Sequence, residues 1–414
     1  MSKSDALGES GEKLTGSKQG PFGMTFGTWL RFLAMRPPMD LAHSLPIALC
    51  TACSISNSVN RVIERAIYGR RIDQVQFPGP ALFVLGHWRS GTTYLHTLLS
   101  QDPRFVTPNT YQIINPHHFL LTESTVVRFT KWLLPKTRPM DNMKVSWESP
   151  QEDETALLNL TLSSPYIMLA FQGQPEYYDR YFEMRNVPPA ELERWKRAFL
   201  YFVKKLTVKS GRQILLKSPT HTFRIPRLLE LFPDAHFVNI VRNPYAVYSS
   251  TIHMRRQMLR ANSLTTFPDW DMEDEVCHLY RELFERYHRD KDLIPSERLY
   301  EIRYEDLERS PVAEIGKLYD HFGWTGFAGV AEKLETHLNE IGEYQKNHFR
   351  MDSDLKSRVY DRFHDIFNRY GYPKDLDTSA ELEPPMASPF PVPPTPAKKP
   401  WPRPRTPVLA GQRD

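Results

Sequence analysis

The chain has 414 residues, 40% of them hydrophobic and 25% charged, which is enough apolar material for one large α/β domain or two small ones. A formal net charge of +4 suits an anionic ligand and is too small to point to nucleic acid. The odd count of three cysteines (Cys50, Cys53 and Cys277) argues against a disulfide framework, and no stretch reaches the roughly 20 apolar residues that a spanning helix needs.

Residues 1–22 are polar, rich in Gly and Ser and without the apolar core of a secretory signal, and are expected to be disordered; the reading is of a cytoplasmic protein. Residues 23–76 form an N-terminal helical segment. Phe26, Trp29, Leu30, Phe32 and Leu33 recur near helical spacing, as do Val59, Val62, Ile63, Ala66 and Ile67, with Pro37 and Pro38 between the two runs. This segment leaves peripheral contact with a membrane surface open. Cys50 and Cys53 fall mid-helix within it and read as small core residues rather than a redox pair.

Residues 77–378 alternate strand and helix. Strands are expected at Ala81–Leu85, Gln213–Leu216, His236–Val241 and Leu299–Arg303, as short continuous apolar runs buried on both faces. Helices are expected at Thr92–Leu99, Ile225–Phe232 and Pro244–Met258. The alternation predicts an α/β fold: a P-loop-like parallel sheet flanked by helices, with ligands at the carboxyl ends of the strands. Residues 379–414 are rich in proline and read as an extended, disordered tail.

The most informative stretch is Leu85-Gly86-His87-Trp88-Arg89-Ser90-Gly91-Thr92-Thr93, a buried strand running through a glycine-bounded loop into a helix. Glycines there let backbone N–H groups approach an anion, and the helix N-terminus adds donors and the positive end of its dipole. Ser90, Thr92 and Thr93 offer hydroxyls, and Arg89 offers a planar fork suited to phosphate or sulfate. The loop departs from a Walker A motif: Thr92 stands where the lysine would be, and the strand His236–Val241 ends in Arg242 and Asn243 rather than in a magnesium-binding acid. A P-loop kinase-like phosphotransferase is therefore a rival reading that lacks its two key groups. A non-catalytic nucleotide-binding scaffold is a second.

This loop resembles the 5′-phosphosulfate loop of sulfotransferases that use 3′-phosphoadenosine 5′-phosphosulfate (PAPS), in the branch with Arg in the loop that includes tyrosylprotein sulfotransferases and many bacterial members. The resemblance spans about residues 77–372 and implies a metal-independent enzyme with PAPS as co-substrate. It assigns Arg89, Ser90, Gly91, Thr92 and Thr93 to the 5′-phosphosulfate. Arg242 and Ser250, eight residues apart, are similar to the family's 3′-phosphate motif. Lys217, ending the strand of Leu215-Leu216-Lys217, is implied at the sulfuryl group or bridging oxygen, where charge builds in a loose in-line transfer. Tyr304, after Arg303, resembles the strand-ending Tyr that meets the nucleotide, and Lys346 a lysine in a late loop over the cofactor.

The catalytic base does not carry over. The Glu that tyrosylprotein enzymes place about 21 residues after the loop Arg is Thr110 here, and the Glu preceding the strand-ending Lys of heparan-type members is Leu216. His221, just past Lys217, is the first candidate. Glu152 and Glu154, in an acidic run with Asp153, come next, and then His118 beside His117. The acceptor is a small molecule, lipid, glycan or peptide, and no nucleic acid is expected. Its pocket is expected within about residues 108–181, which are rich in Tyr, Phe, Trp and Met.

Overall fold

The computed structural model describes residues 21–39, 44–130, 146–262, 272–341 and 351–374. Of the ends expected to be disordered, residues 1–20 and 379–414 lie outside these residues, as does the late loop with Lys346, whereas Pro21 and Phe22 open the 3-10 helix Pro21–Gly23, and the Phe22 carbonyl accepts from Asn57 at 2.8 Å.

Five strands form one parallel sheet: β1 (Leu82–Leu85), β2 (Phe105–Val106), β3 (Gln213–Lys217), β4 (His236–Val241) and β5 (Leu299–Arg303), in the order β2-β3-β1-β4-β5. β1 is central, with Val84 opposite both Lys217 and Val238. Its four residues are all fully buried, because helices cover both faces. Alternate residues serve different cores: Phe83, Leu85, Ile214, Leu216 and Phe237 pack to one side, and Leu82, Val84, Leu215, Val238 and Ile240 to the other. Four of the five strands stand where the sequence places them. The fifth, β2, has two residues, too few for a pattern to register.

The helix Thr92–Leu99 follows β1, Ile225–Leu231 lies between β3 and β4, and Pro244–Asn262 follows β4. The long crossover from β2 to β3 carries Thr110–Ile114, Phe119–Thr130, Glu154–Thr161 and the 22-residue helix Pro189–Ser210, which ends at Gly211 in the left-handed conformation that glycine favours. These elements bring Glu152, Asp153 and Glu154 to the end of β3 and the turn beyond it.

The N-terminal helices Phe26–Ala34 and Ser44–Gln74 join the same core through Trp29, Phe32 and Cys50. The anchor is polar. Glu64 and Lys205 are both fully buried and meet at 2.5 Å, Lys205 donates to the Pro116 carbonyl at 2.7 Å, and Glu64 accepts from the Leu121 N–H at 3.2 Å. Burial pushes the Glu64 carboxyl up and brings Lys205 down to about 8. No helix among the described residues is long and apolar enough to cross a membrane.

Removing one partner of such a pair strands a buried charge. Lys205→Ala is expected to cost about 3–5 kcal/mol in a urea titration, while Glu64→Leu combined with Lys205→Met recovers most of that loss. Equal losses in the single and double variants would mean that the ion pair is not what makes the position costly.

Candidate active site

β1, β3, β4 and β5 deliver their carboxyl ends to one edge of the sheet, and the functional groups collect there. The loop after β1 turns on two glycines with positive φ, Gly86 at 136° and Gly91 at 97°. A Cβ on Gly86 would lie 2.6 Å from the Ile240 carbonyl oxygen, and one on Gly91 would lie 2.2 Å from the Tyr304 ring. Both positions therefore need glycine for conformation and for space. Within the loop Ser90 Oγ donates to the His87 carbonyl at 2.7 Å, and the Gly86 N–H donates to Thr222 Oγ1 at 2.9 Å. Burial brings His87 down to about 3, so it stays neutral and the loop's charge comes from Arg89.

Arg89 itself has a φ of 67°, an uncommon conformation for any residue but glycine, which points to a position set by its surroundings. Its Nε donates to Ser250 Oγ at 2.8 Å, across from the helix that follows β4. Arg242, just past β4, donates from Nη1 to the Arg89 carbonyl at 3.3 Å and lays its guanidinium 4.1 Å from the centre of the Tyr304 ring. Its buried Nε has no hydrogen-bond partner among the described residues. Arg89, Arg242, Ser250 and Tyr304 thus form one cluster, assembled from three strand ends. Two guanidinium groups, the Ser250 hydroxyl and the loop N–H groups make a donor set with the chemistry of a site for phosphate-type anions, while the Tyr304 hydroxyl donates to Glu308 at 2.6 Å.

On the other side of the loop stands Lys217, the last residue of β3 and only 3% exposed. Its Nζ lies 2.7 Å from Glu152 Oε1 and 3.3 Å from Thr93 Oγ1. The other Glu152 oxygen accepts from the Tyr166 hydroxyl, which in turn accepts from Trp88 Nε1 at 3.3 Å. Burial, reinforced by the Glu152 charge, holds the Tyr166 hydroxyl well above its usual range, so it stays protonated and donates.

The acidic run divides its work. Asp153 meets His221 Nε2 at 3.0 Å, and Glu154 takes Arg224 at 2.6 Å and the Thr220 hydroxyl at 2.6 Å. All five of these side chains are fully buried, whereas Glu152 keeps about a quarter of its side chain exposed. His221 lies between the rings of Phe83 and Phe199, in the core behind β1. His118 bonds Asn57 at 2.9 Å and Thr122 at 2.8 Å, and His117 the Asn159 carbonyl at 3.3 Å. Burial brings these two down to about 4 and about 3. Of the candidate bases, Glu152 alone touches Lys217. Tyr166 carries no distinguishing signal in an aromatic-rich segment, and Trp88 stands within the loop motif without a signal for this contact.

An anion-cradling loop after the central strand of a parallel sheet, with arginines and a strand-end lysine in place of the Walker lysine and magnesium acid, defines a P-loop-like group-transfer fold. Within that class the chain belongs to the sulfotransferase family, whose profile matches residues 80–328. It is 37% identical over 365 residues to omega-hydroxy-beta-dihydromenaquinone-9 sulfotransferase Stf3 of Mycobacterium bovis and of Mycobacterium tuberculosis, covering 87% of this chain and 93% of those proteins. Its fold is similar to the crystal structures of sulfotransferase STF9 from Mycobacterium avium (TM-score 0.65, 17% identity, 83% of this chain and 91% of that one) and STF1 from M. tuberculosis (TM-score 0.57, 19% identity, 84% and 93%). The chain is an enzyme of sulfuryl transfer.

Gly91→Ala tests the loop. Strain at that φ costs about 1–3 kcal/mol, and displacement of Tyr304 adds to it, so a lowered urea midpoint is expected. An unchanged midpoint would mean that the loop does not pack on Tyr304.

Proposed function

We propose that this enzyme moves the sulfuryl group of PAPS to a hydroxyl on a lipid-like acceptor, with Lys217 stabilising the leaving oxygen and Glu152 taking the acceptor's proton. The observation that carries the reading is the Lys217–Glu152 pair, 2.7 Å apart and next to Thr93 of the anion loop. A transfer of this kind needs a cation beside the leaving oxygen, where negative charge builds, and a base beside the entering oxygen, which loses its proton; in an in-line displacement these two oxygens flank the sulfur on opposite sides, a few ångströms apart.

In this reading Arg89, Ser90, Gly91, Thr92 and Thr93 hold the 5′-phosphosulfate, and Arg242 and Ser250 the 3′-phosphate. The unsatisfied Nε of Arg242 supports a further anionic partner there. Tyr304 supports the Arg242 guanidinium from beneath. The acceptor hydroxyl attacks sulfur, its proton passes to Glu152, and the bond from sulfur to the bridging oxygen breaks as Lys217 takes up the charge left on the 5′-phosphate. Tyr166, donating to the second Glu152 oxygen, aims the first. Glu154 serves the fold through Arg224 and Thr220, and His221 is the alternative base that its burial disfavours. Lys346 retains its proposed role over the nucleotide.

The name of the relatives that share 37% identity over most of this chain supports the hydroxylated, lipid-like acceptor. So does the aromatic character of the segment bearing Tyr166, where Phe171 and Tyr177 stack at 4.1 Å. Incubation with labelled PAPS and separate lipid, phenol, peptide and glycan extracts should label the lipid fraction; label confined to another fraction would replace the acceptor class.

Two substitutions test the site. Arg242→Ala is expected to weaken binding of 3′,5′-adenosine bisphosphate about ten- to a hundredfold, toward that of 5′-AMP, by isothermal titration. Glu152→Gln and Lys217→Ala should each cut turnover by about a hundredfold or more while bisphosphate affinity moves only a few-fold. Near-normal turnover in Glu152→Gln with a collapse in a correctly folded His221→Ala would return the base to His221.

A further inference from the structure

We propose that the outer face of the helix Ser44–Gln74 is a docking surface for an anionic lipid bilayer, on which the enzyme lies to reach its acceptor. The inference rests on the lipid-like acceptor for its purpose and on the helix for its evidence.

The polarity of this helix is reversed. The side turned to the protein carries Ser54, Asn57 and Glu64, all 5% exposed or less, and each is held by a polar partner: the Thr51 carbonyl, the Phe22 and Met24 carbonyls, and Lys205. The side turned to solvent is apolar. Leu45, Leu49, Ile55, Val59, Val62 and Ile67 are between 49% and 69% exposed. At 100° per residue these six fall within an arc of about 140°, and Ala48, Ala52 and Ala66 fall in the same arc. A surface helix of a water-soluble domain carries the opposite arrangement. From Leu45 to Ile67 the stripe runs about 33 Å.

The exposure is also concentrated. Of the twelve large apolar side chains that stand exposed among the described residues, ten lie between Phe26 and Ile67. Single exposed apolar residues need no explanation, but a continuous patch of them does.

Charge selects the occupant. The exposed charges of this helix are Arg61, Arg65, Arg70 and Arg71, with Asp73 as the one exposed acid, and Asp73 is paired with Arg65 at 2.7 Å. By the same spacing Arg70 falls inside the arc of the stripe and Arg71 about 40° beyond it, at its C-terminal end, whereas Arg61 lies on the opposite side; cations at the end of a wide apolar stripe suit a bilayer interface with anionic headgroups. A second copy of this face would bring no free acid to those arginines, and the arc is wider than the narrow seam of a paired helix.

The position is useful. The preceding helix, Phe26–Ala34, is tied to this one by the Trp29 indole, which donates to Thr51 Oγ1 at 2.9 Å. Phe32, which stacks on Trp29 on the same face of that helix, meets the ring of Phe171, five residues past Tyr166. The helix Ser44–Gln74 therefore connects through Trp29, Phe32 and Phe171 in turn to the segment bearing Tyr166, which donates to Glu152. A lipid acceptor could present its hydroxyl to that segment without its hydrocarbon leaving the bilayer.

The test is flotation of the full chain with phosphatidylcholine vesicles, with and without phosphatidylglycerol, in the absence of donor and acceptor. The chain should float with the phosphatidylglycerol vesicles, and added salt should weaken the binding. Val59→Glu combined with Val62→Glu should reduce partition about tenfold or more, because it places two charges in the apolar stripe. Bisphosphate affinity and thermal midpoint should match the wild type, which separates lost docking from lost fold. Wild-type protein that stays in the aqueous fraction, or a double variant that floats as well as the wild type, overturns the proposal. So does a wild-type dimer in light scattering that the double variant breaks into monomers, since the face would then join two copies. Failure of the acceptor assignment would appear in the labelling experiment and leave vesicle binding intact.

Discussion

The rest of the site depends on three consecutive carboxylates. Glu152, Asp153 and Glu154 reach from the acceptor-side crossover onto the end of β3 and the turn beyond it, meeting Lys217, His221 and Arg224 in the same order. The two inner contacts are sealed from water. Burying charged groups is expensive, and breaking one side of a sealed ion pair typically costs about 3–5 kcal/mol, so the arrangement adds more to uniqueness than to net stability. A shift by one residue would present the wrong carboxylate to each partner. Held in this way, the outermost acid keeps about a quarter of its side chain exposed, while its neighbours belong to the core.

The anion cluster opposite has a different logic. Arg89, Arg242 and Ser250 lie far apart in the chain and come together because β1 and β4 are neighbours and both end at the same edge. Tyr304, delivered by β5, closes the cluster by packing under Arg242 and against Gly91. Glycine at position 91 is thus needed for the tyrosine as well as for the positive φ of the turn. Cations fixed to strand ends in a sheet buried on both faces act in a medium that screens them weakly, where a few preorganised charges count for more than in water.

The N-terminal helices extend the same economy of polar anchoring outward. A fully buried Glu64–Lys205 pair and the Asn57–His118 contact hold Ser44–Gln74 on the domain by its polar side. The apolar side is thereby freed for the surface. Periodicity identifies this segment as helical but does not tell which face is inside. Val59, Val62, Ile63, Ala66 and Ile67 would ordinarily be assigned to the core, and here they face solvent.

By itself the sequence determined the elements whose signal is local. The buried strands are legible because a strand covered on both faces must be apolar throughout, and the loop is legible because a sharp turn against an anion requires glycines and hydroxyls at set spacings. The Arg242–Ser250 spacing is local too, one strand end and the next helix. Tertiary structure alone decided which acid faces Lys217, which histidine is entombed beside Phe83 and Phe199, and that Tyr166, itself bonded by Trp88, reaches Glu152. Those contacts join residues tens of positions apart, and adjacent carboxylates are chemically identical until packing assigns each its partner and its share of water.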